Sequence, residues 1–118
     1  MNKRERLRQR VWLKYNKHCA YCGKVLEYKD MQVDHAISKY AYDFIPLQSR
    51  FDINSFNNLM PSCRRCNHYK RELDLEGFRK YIKTLHERMQ DLYIAKVAID
   101  YGIIKIKPFG GKFYFESI

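Results

Sequence analysis

The chain has 118 residues, of which 46% are hydrophobic, and it carries 23 Lys and Arg against 13 Asp and Glu for a net charge of +10. That hydrophobic share excludes a disordered chain, and the length favours one domain with a modest core. No apolar run reaches membrane-spanning length and no signal-peptide core follows the basic N-terminus, so no membrane role and a cytoplasmic setting are expected. A basic excess of this size favours a polyanionic partner, because phosphate contacts release condensed counterions, but it does not separate DNA, RNA and anionic lipid.

Residues 2–17 read as a basic helix. Leu7, Val11 and Tyr15 recur at helical spacing on one stripe, and the other faces carry Lys3, Arg4, Arg6, Arg8, Arg10, Lys14 and Lys17 against Glu5 alone. Such a face is either solvated or contacts phosphates. Cys19-Ala20-Tyr21-Cys22-Gly23 then forms a knuckle, with Gly23 permitting the closing turn. His18 precedes it and reads as helix-end decoration. Residues 24–28 and 31–37 are expected to pair as a short hairpin around Lys29-Asp30. In a regular strand Val33, His35 and Ile37 share one face, with Gln32 and Asp34 on the other. Asp34 and His35 can therefore serve one site only if the strand ends or bulges there.

Residues 38–57 form a long, irregular, aromatic-rich connection, which in a small domain is usually functional. Asn58-Leu59 leads through Pro61 into a second knuckle, Cys63-Arg64-Arg65-Cys66. A helix is expected from about Ser62 to Arg64 through Arg71 or Glu72. Asp74 caps another from Leu75, where Leu75, Phe78, Ile82, Leu85, Met89 and Leu92 make an amphipathic stripe. That pattern runs on through Val97 and Tyr101 to Gly102, a plausible C′ residue, as one helix or as two broken near Asp91. In the tail, Ile104 and Ile106 alternate with lysines and Phe113 and Phe115 alternate with polar residues, predicting a β-hairpin closed by Pro108–Gly111.

Two C-x-x-C pairs without an export signal point to a metal site and not to disulfides. Cys19, Cys22, Cys63 and Cys66 can close a tetrahedral thiolate site for Zn²⁺, saturated and hence structural. Between the pairs stands Asp34-His35. The order D-H, N-L, C-x-x-C-N-x-x-K after an earlier C-x-x-C resembles the HNH nuclease family in its zinc-bearing form, over roughly Cys19 to Lys70. The chain departs from the commonest family pattern in having Ser38 where a proline usually follows, no glycine in the loop, and Asn67 as the last motif letter.

The resemblance implies an α+β domain with a ββα-metal core at about 19–72, clamped by the zinc, and a helical and hairpin extension at 74–118. It implies Asp34 and Asn67 as ligands of a catalytic divalent ion, His35 as general base, and Asn58 as the residue holding the loop that bears the histidine, with Asn57 as the register alternative. His68 is the neighbour of Asn67, but one further helical residue turns away by about 100°. One carboxylate and one amide suit Mg²⁺ or Mn²⁺ better than softer ions. Arg4, Arg6, Arg8, Arg64, Arg65, Lys70 and Arg71 are the candidate phosphate contacts. The implied activity is metal-dependent hydrolysis of DNA phosphodiesters. The rival readings are a non-catalytic zinc-knuckle nucleic-acid-binding module and an RNA-cleaving effector using the same site. No second DNA-reading domain is visible in these residues, which argues for modest specificity, for a homodimer, or for a partner protein that supplies targeting.

Overall fold

In the computed structural model, which describes residues 1–118, the first element is α1, Lys3–Leu13. It starts where the Asn2 side chain accepts the Glu5 N–H at 2.8 Å, satisfying one orphan donor of the first turn. It stops short of the expected Lys17 because Asn16 and Lys17 take left-handed φ values of 54° and 66°. Val11 is its buried anchor. Lys14, just past the helix, donates to the carbonyls of Phe56 at 3.0 Å and Leu59 at 2.8 Å. This is a structural use of a lysine, and burial lowers its pKa.

The sheet has two antiparallel strands, β1 (Gln32–His35) and β2 (Leu59–Ser62), with Gln32 opposite Ser62 and His35 opposite Leu59. This corrects the expected pairing of 24–28 with 31–37. Residues 28–30 form a 3₁₀ turn, and Val25 instead bridges back to His18. The cause lies in β2, all four residues of which are buried. Pro61 in β2 has no N–H to give, but its carbonyl accepts the Ala20 N–H at 2.9 Å, tying the first knuckle to this strand.

The long connection is ordered by short pieces. Ser38 caps α2 (Lys39–Tyr42) by accepting the Ala41 N–H at 3.0 Å and donates its own hydroxyl to the Glu72 carbonyl at 2.8 Å. Further on come 3₁₀ turns at Leu47–Ser49 and Phe56–Asn58. The second knuckle opens α3, Arg64–Lys70, whose N-cap is Cys63.

Two compact units are distinguishable, Met1–Leu75 with Phe113–Ile118, and Glu76–Lys112. Within the latter stretch the helical pattern is divided twice, into α4 (Leu75–Lys83), α5 (Leu85–Gln90) and α6 (Tyr93–Asp100). Leu92 is extended, at φ −72° and ψ 130°, and separates α5 from α6. α6 ends at Gly102 with φ 72°, the expected C′ conformation.

The expected C-terminal hairpin does not form. Residues 103–112 contain no strand, and Tyr114–Glu116 is a 3₁₀ turn. The N–H groups a hairpin would have used go elsewhere: Tyr114 donates to the Tyr21 carbonyl at 3.0 Å and Phe115 to the Ala20 carbonyl at 2.9 Å. Phe113 is buried edge-on to Tyr21, and Tyr114 stacks on His18. The alternation of aromatics in the tail therefore reflects packing on the first knuckle. That contact also explains Gly23, at φ 81°, where a Cβ would fall 2.8 Å from the Tyr114 ring.

Candidate active site and zinc centre

The four cysteine sulfurs lie within 4.8 Å of one another. Cys22 and Cys63 are 3.9 Å apart, close to the edge of about 3.8 Å that a zinc–sulfur bond of about 2.3 Å gives a tetrahedron. The turns that hold them are made locally. Cys19 donates its N–H to the Lys24 carbonyl at 2.7 Å, Gly23 returns one to Cys19, and the Cys63 sulfur accepts the Cys66 N–H at 3.3 Å. Crowded thiols cannot all ionise without a cation. A hydrogen bond from Cys66 holds Cys19 down to about 4, while that bond, burial and neighbouring charge push Cys66 up. Burial pushes Cys22 up as well. A dication at the centre resolves this conflict, and the donor set fits Zn²⁺.

β1 carries Asp34 and ends on His35. The strand alternation separates the two side chains. Asp34 is buried on the side of α3, where its Oδ2 accepts from the Tyr21 hydroxyl at 2.5 Å and meets the Lys70 ammonium at 3.0 Å. Burial and then the Asp34 charge push the Tyr21 phenol upward, so it is a proton donor in this contact. His35 is half-exposed and borders a groove edged by Lys3, Arg4, Arg8, Lys39 and Asn54. Its Nε2 lies 2.9 Å from Asn54 Oδ1. An amide oxygen only accepts, so this contact takes a proton from Nε2, and in the neutral imidazole Nδ1 is then the acceptor nitrogen.

Asn58 is buried, and its side chain binds backbone on three sides. Oδ1 accepts the Ile37 N–H at 2.9 Å, and Nδ2 donates to the carbonyls of Ile37 at 3.1 Å and Ile53 at 2.9 Å. Its own carbonyl accepts the Ala36 N–H at 2.8 Å. The turn leaving His35 is thus fastened to Asn58. Asn67 lies on α3, its Nδ2 at 3.5 Å from Gln32 Oε1. Gln32 and Asp34 share a strand face, so the structure brings Asp34 and Asn67 to the same side of β1. His35 leaves from the other side at the strand's end. His68 is exposed and lines a second cleft with Lys24, Lys29, Arg64 and Arg65.

Two of the expected phosphate contacts are corrected. Lys70 is fully buried, and besides Asp34 it donates to the His35 carbonyl at 2.9 Å, so it has no reach to solvent. Arg8 donates to the carbonyls of Tyr28 at 2.7 Å and Met31 at 2.8 Å and lies over the Tyr28 ring, which makes it a half-buried latch. Arg4, Arg6, Arg64, Arg65 and Arg71 are exposed. Sequence reasoning missed Tyr21 and Asn54. A tyrosine inside a knuckle gives no signal of its own, and Asn54 is one of several polar residues in an irregular loop.

Residues 19–72 match the family model described as HNH endonuclease, under half of the chain. No curated protein and no solved structure matches the chain. The match begins on the first cysteine and ends two residues past Lys70, enclosing both knuckles, β1, β2 and α3. This region is similar to the HNH endonuclease family by that match, and it holds four cysteines positioned to form a zinc site.

Proposed function

We propose that this chain is a metal-dependent endonuclease that hydrolyses DNA phosphodiester bonds at the end of β1. The observation that carries the reading is the joint placement of Asp34, His35, Asn58 and Asn67 inside the matched region. A zinc-knuckle binding module needs the cysteines and the basic faces but no half-exposed imidazole with a free Nδ1 beside a buried carboxylate.

In this reading Asp34 and Asn67 would hold a divalent ion, which two oxygen donors alone would not saturate. Mg²⁺ or Mn²⁺ fits such oxygen donors. When bound, the ion neutralises charge on the scissile phosphate and stabilises the leaving oxygen. His35 Nδ1 takes a proton from water as the water oxygen attacks phosphorus. The P–O3′ bond breaks and the departing O3′ takes a proton from solvent water, leaving 5′-phosphate and 3′-hydroxyl ends. Asn54 keeps the imidazole in the required tautomer and Asn58 fixes the turn behind it. Because Asp34 and His35 leave β1 on opposite sides, the phosphate has to straddle the strand's end. Arg4 and Lys39 near His35, and Arg64 and Arg65 at the start of α3, are available to flanking phosphates.

End-labelled duplex DNA and RNA of the same sequence, incubated with Mg²⁺, test the reading. Cut DNA with 5′-phosphate ends, resistant RNA and no product from His35→Ala support it. Cleavage of RNA alone favours the effector reading. Salt-dependent binding without cleavage of either favours the binding module.

A further inference from the structure

Asp34 is 7% exposed, yet only one of its oxygens is committed. Both the Tyr21 hydroxyl and the Lys70 ammonium fall on Oδ2. Oδ1 makes neither a hydrogen bond nor an ion pair, and it is not an enclosed unpartnered atom. The two groups on Oδ2 are themselves fixed. Tyr21 is the third residue of the first knuckle, its carbonyl accepts the Tyr114 N–H at 3.0 Å, and its ring meets Phe113 edge-on at 5.3 Å. Lys70 is fully buried and bridges Asp34 to the His35 carbonyl. Rotating the carboxylate away from them would strand a buried ammonium and a buried phenol.

We infer that Tyr21 and Lys70 are positioning residues that lock Oδ2 so that Asp34 offers Oδ1 alone to the divalent ion. The inference rests on reading Asp34 as a ligand of that ion. It links the two metal centres through one phenol: the knuckle that holds zinc also sets the geometry of the second ion. It also predicts a weak intrinsic ion site. One oxygen of a carboxylate already paired with an ammonium is a poor cage for a dication, so bound phosphate has to complete it.

The test compares zinc-loaded parent protein, Tyr21→Phe and Asp34→Ala. Mn²⁺ binding is followed by electron paramagnetic resonance in the presence of a phosphorothioate duplex that resists cleavage. The signal that Asp34→Ala removes reports the site. Tyr21→Phe is expected to keep one zinc and a cooperative melting transition, lowered by the lost buried hydrogen bond, and to weaken this Asp34-dependent binding by roughly tenfold, a change of the size of one hydrogen bond to a charged group. Plasmid cleavage should then need correspondingly more Mn²⁺ and recover near-parent rate at saturation. A merely structural role would lower the rate at every Mn²⁺ concentration. Unchanged Mn²⁺ binding in Tyr21→Phe overturns the inference, as does a parent without Asp34-dependent binding. If Tyr21→Phe loses zinc, Phe113→Leu shifts the ring that Tyr21 abuts and leaves the phenol in place. Weakened Mn²⁺ binding with zinc retained then supports the inference, and unchanged binding overturns it. A parent that binds Mn²⁺ through Asp34 but cuts nothing removes the nuclease reading and leaves the inference standing.

Discussion

Replacing Lys70 by Met should unfold the domain far more readily while leaving the electrostatics of DNA binding alone. The ammonium is fully buried, 3.0 Å from an Asp34 carboxylate that is itself nearly enclosed, and it holds the His35 carbonyl at 2.9 Å. Met fills the volume of the stem but leaves the Asp34 carboxylate without a countercharge, held by the Tyr21 hydroxyl alone, and the His35 carbonyl without its Lys70 donor. Breaking one side of such a pair costs about 3–5 kcal/mol, against a total stability of about 5–15 kcal/mol for a domain of ordinary stability. The single tryptophan is a suitable reporter, since Trp12 Nε1 donates to the Leu26 carbonyl at 2.9 Å and its ring meets Tyr28 at 5.3 Å. Urea unfolding followed by Trp12 fluorescence gives the loss. Adding Asp34→Asn should recover about 1–3 kcal/mol, because the stranded charge is then gone. The salt dependence of DNA affinity should not change in Lys70→Met. A loss under about 1 kcal/mol, or a slope reduced by nearly one counterion, would refute the reasoning and return Lys70 to the phosphate-binding face.

Metal analysis should find one zinc per chain, and Cys63→Ser or Cys66→Ser should lose both the zinc and the folded Trp12 signal, since the binding free energy is folding free energy here. Neutralising Arg64 and Arg65 should lower the salt slope of DNA binding by about 0.9 for each phosphate contact removed. Arg8→Ala should leave that slope unchanged and cost about 2 kcal/mol of stability, because its guanidinium serves two carbonyls. Asn67→Ala should lose most cleavage while His68→Ala keeps it; plasmid assays that show the reverse would move the second ion ligand by one residue.

The metal framework was legible because thiolate spacing is a local property: two C-x-x-C pairs specify a cluster before any fold is known. Gly102, which takes the left-handed conformation after α6, follows from an equally local rule. The partner of β1 was not legible. Residues 24–28 lie next to it in sequence, but Leu59, Met60 and Ser62 are buried, and burial of β2 outweighs proximity. The tail misled for a related reason. A period-2 pattern of aromatics signals alternate burial and does not specify a hydrogen-bond partner, and here the partner is the first knuckle. Lys70 shows the limit most plainly. In sequence it is one cation among Arg64, Arg65 and Arg71, and only the three-dimensional placement of Asp34 and the His35 carbonyl separates it from them.

Relaxation of supercoiled plasmid by the purified protein, with and without Mg²⁺ and beside His35→Ala, tests the central claim most directly. The account predicts Mg²⁺-dependent conversion to nicked or linear DNA by the parent. It predicts no conversion by His35→Ala, which keeps its zinc, its melting curve and its DNA affinity because the imidazole bonds only to Asn54. Relaxation by His35→Ala at the parent rate, or an intact plasmid with zinc-loaded, folded, DNA-bound parent protein, would contradict it.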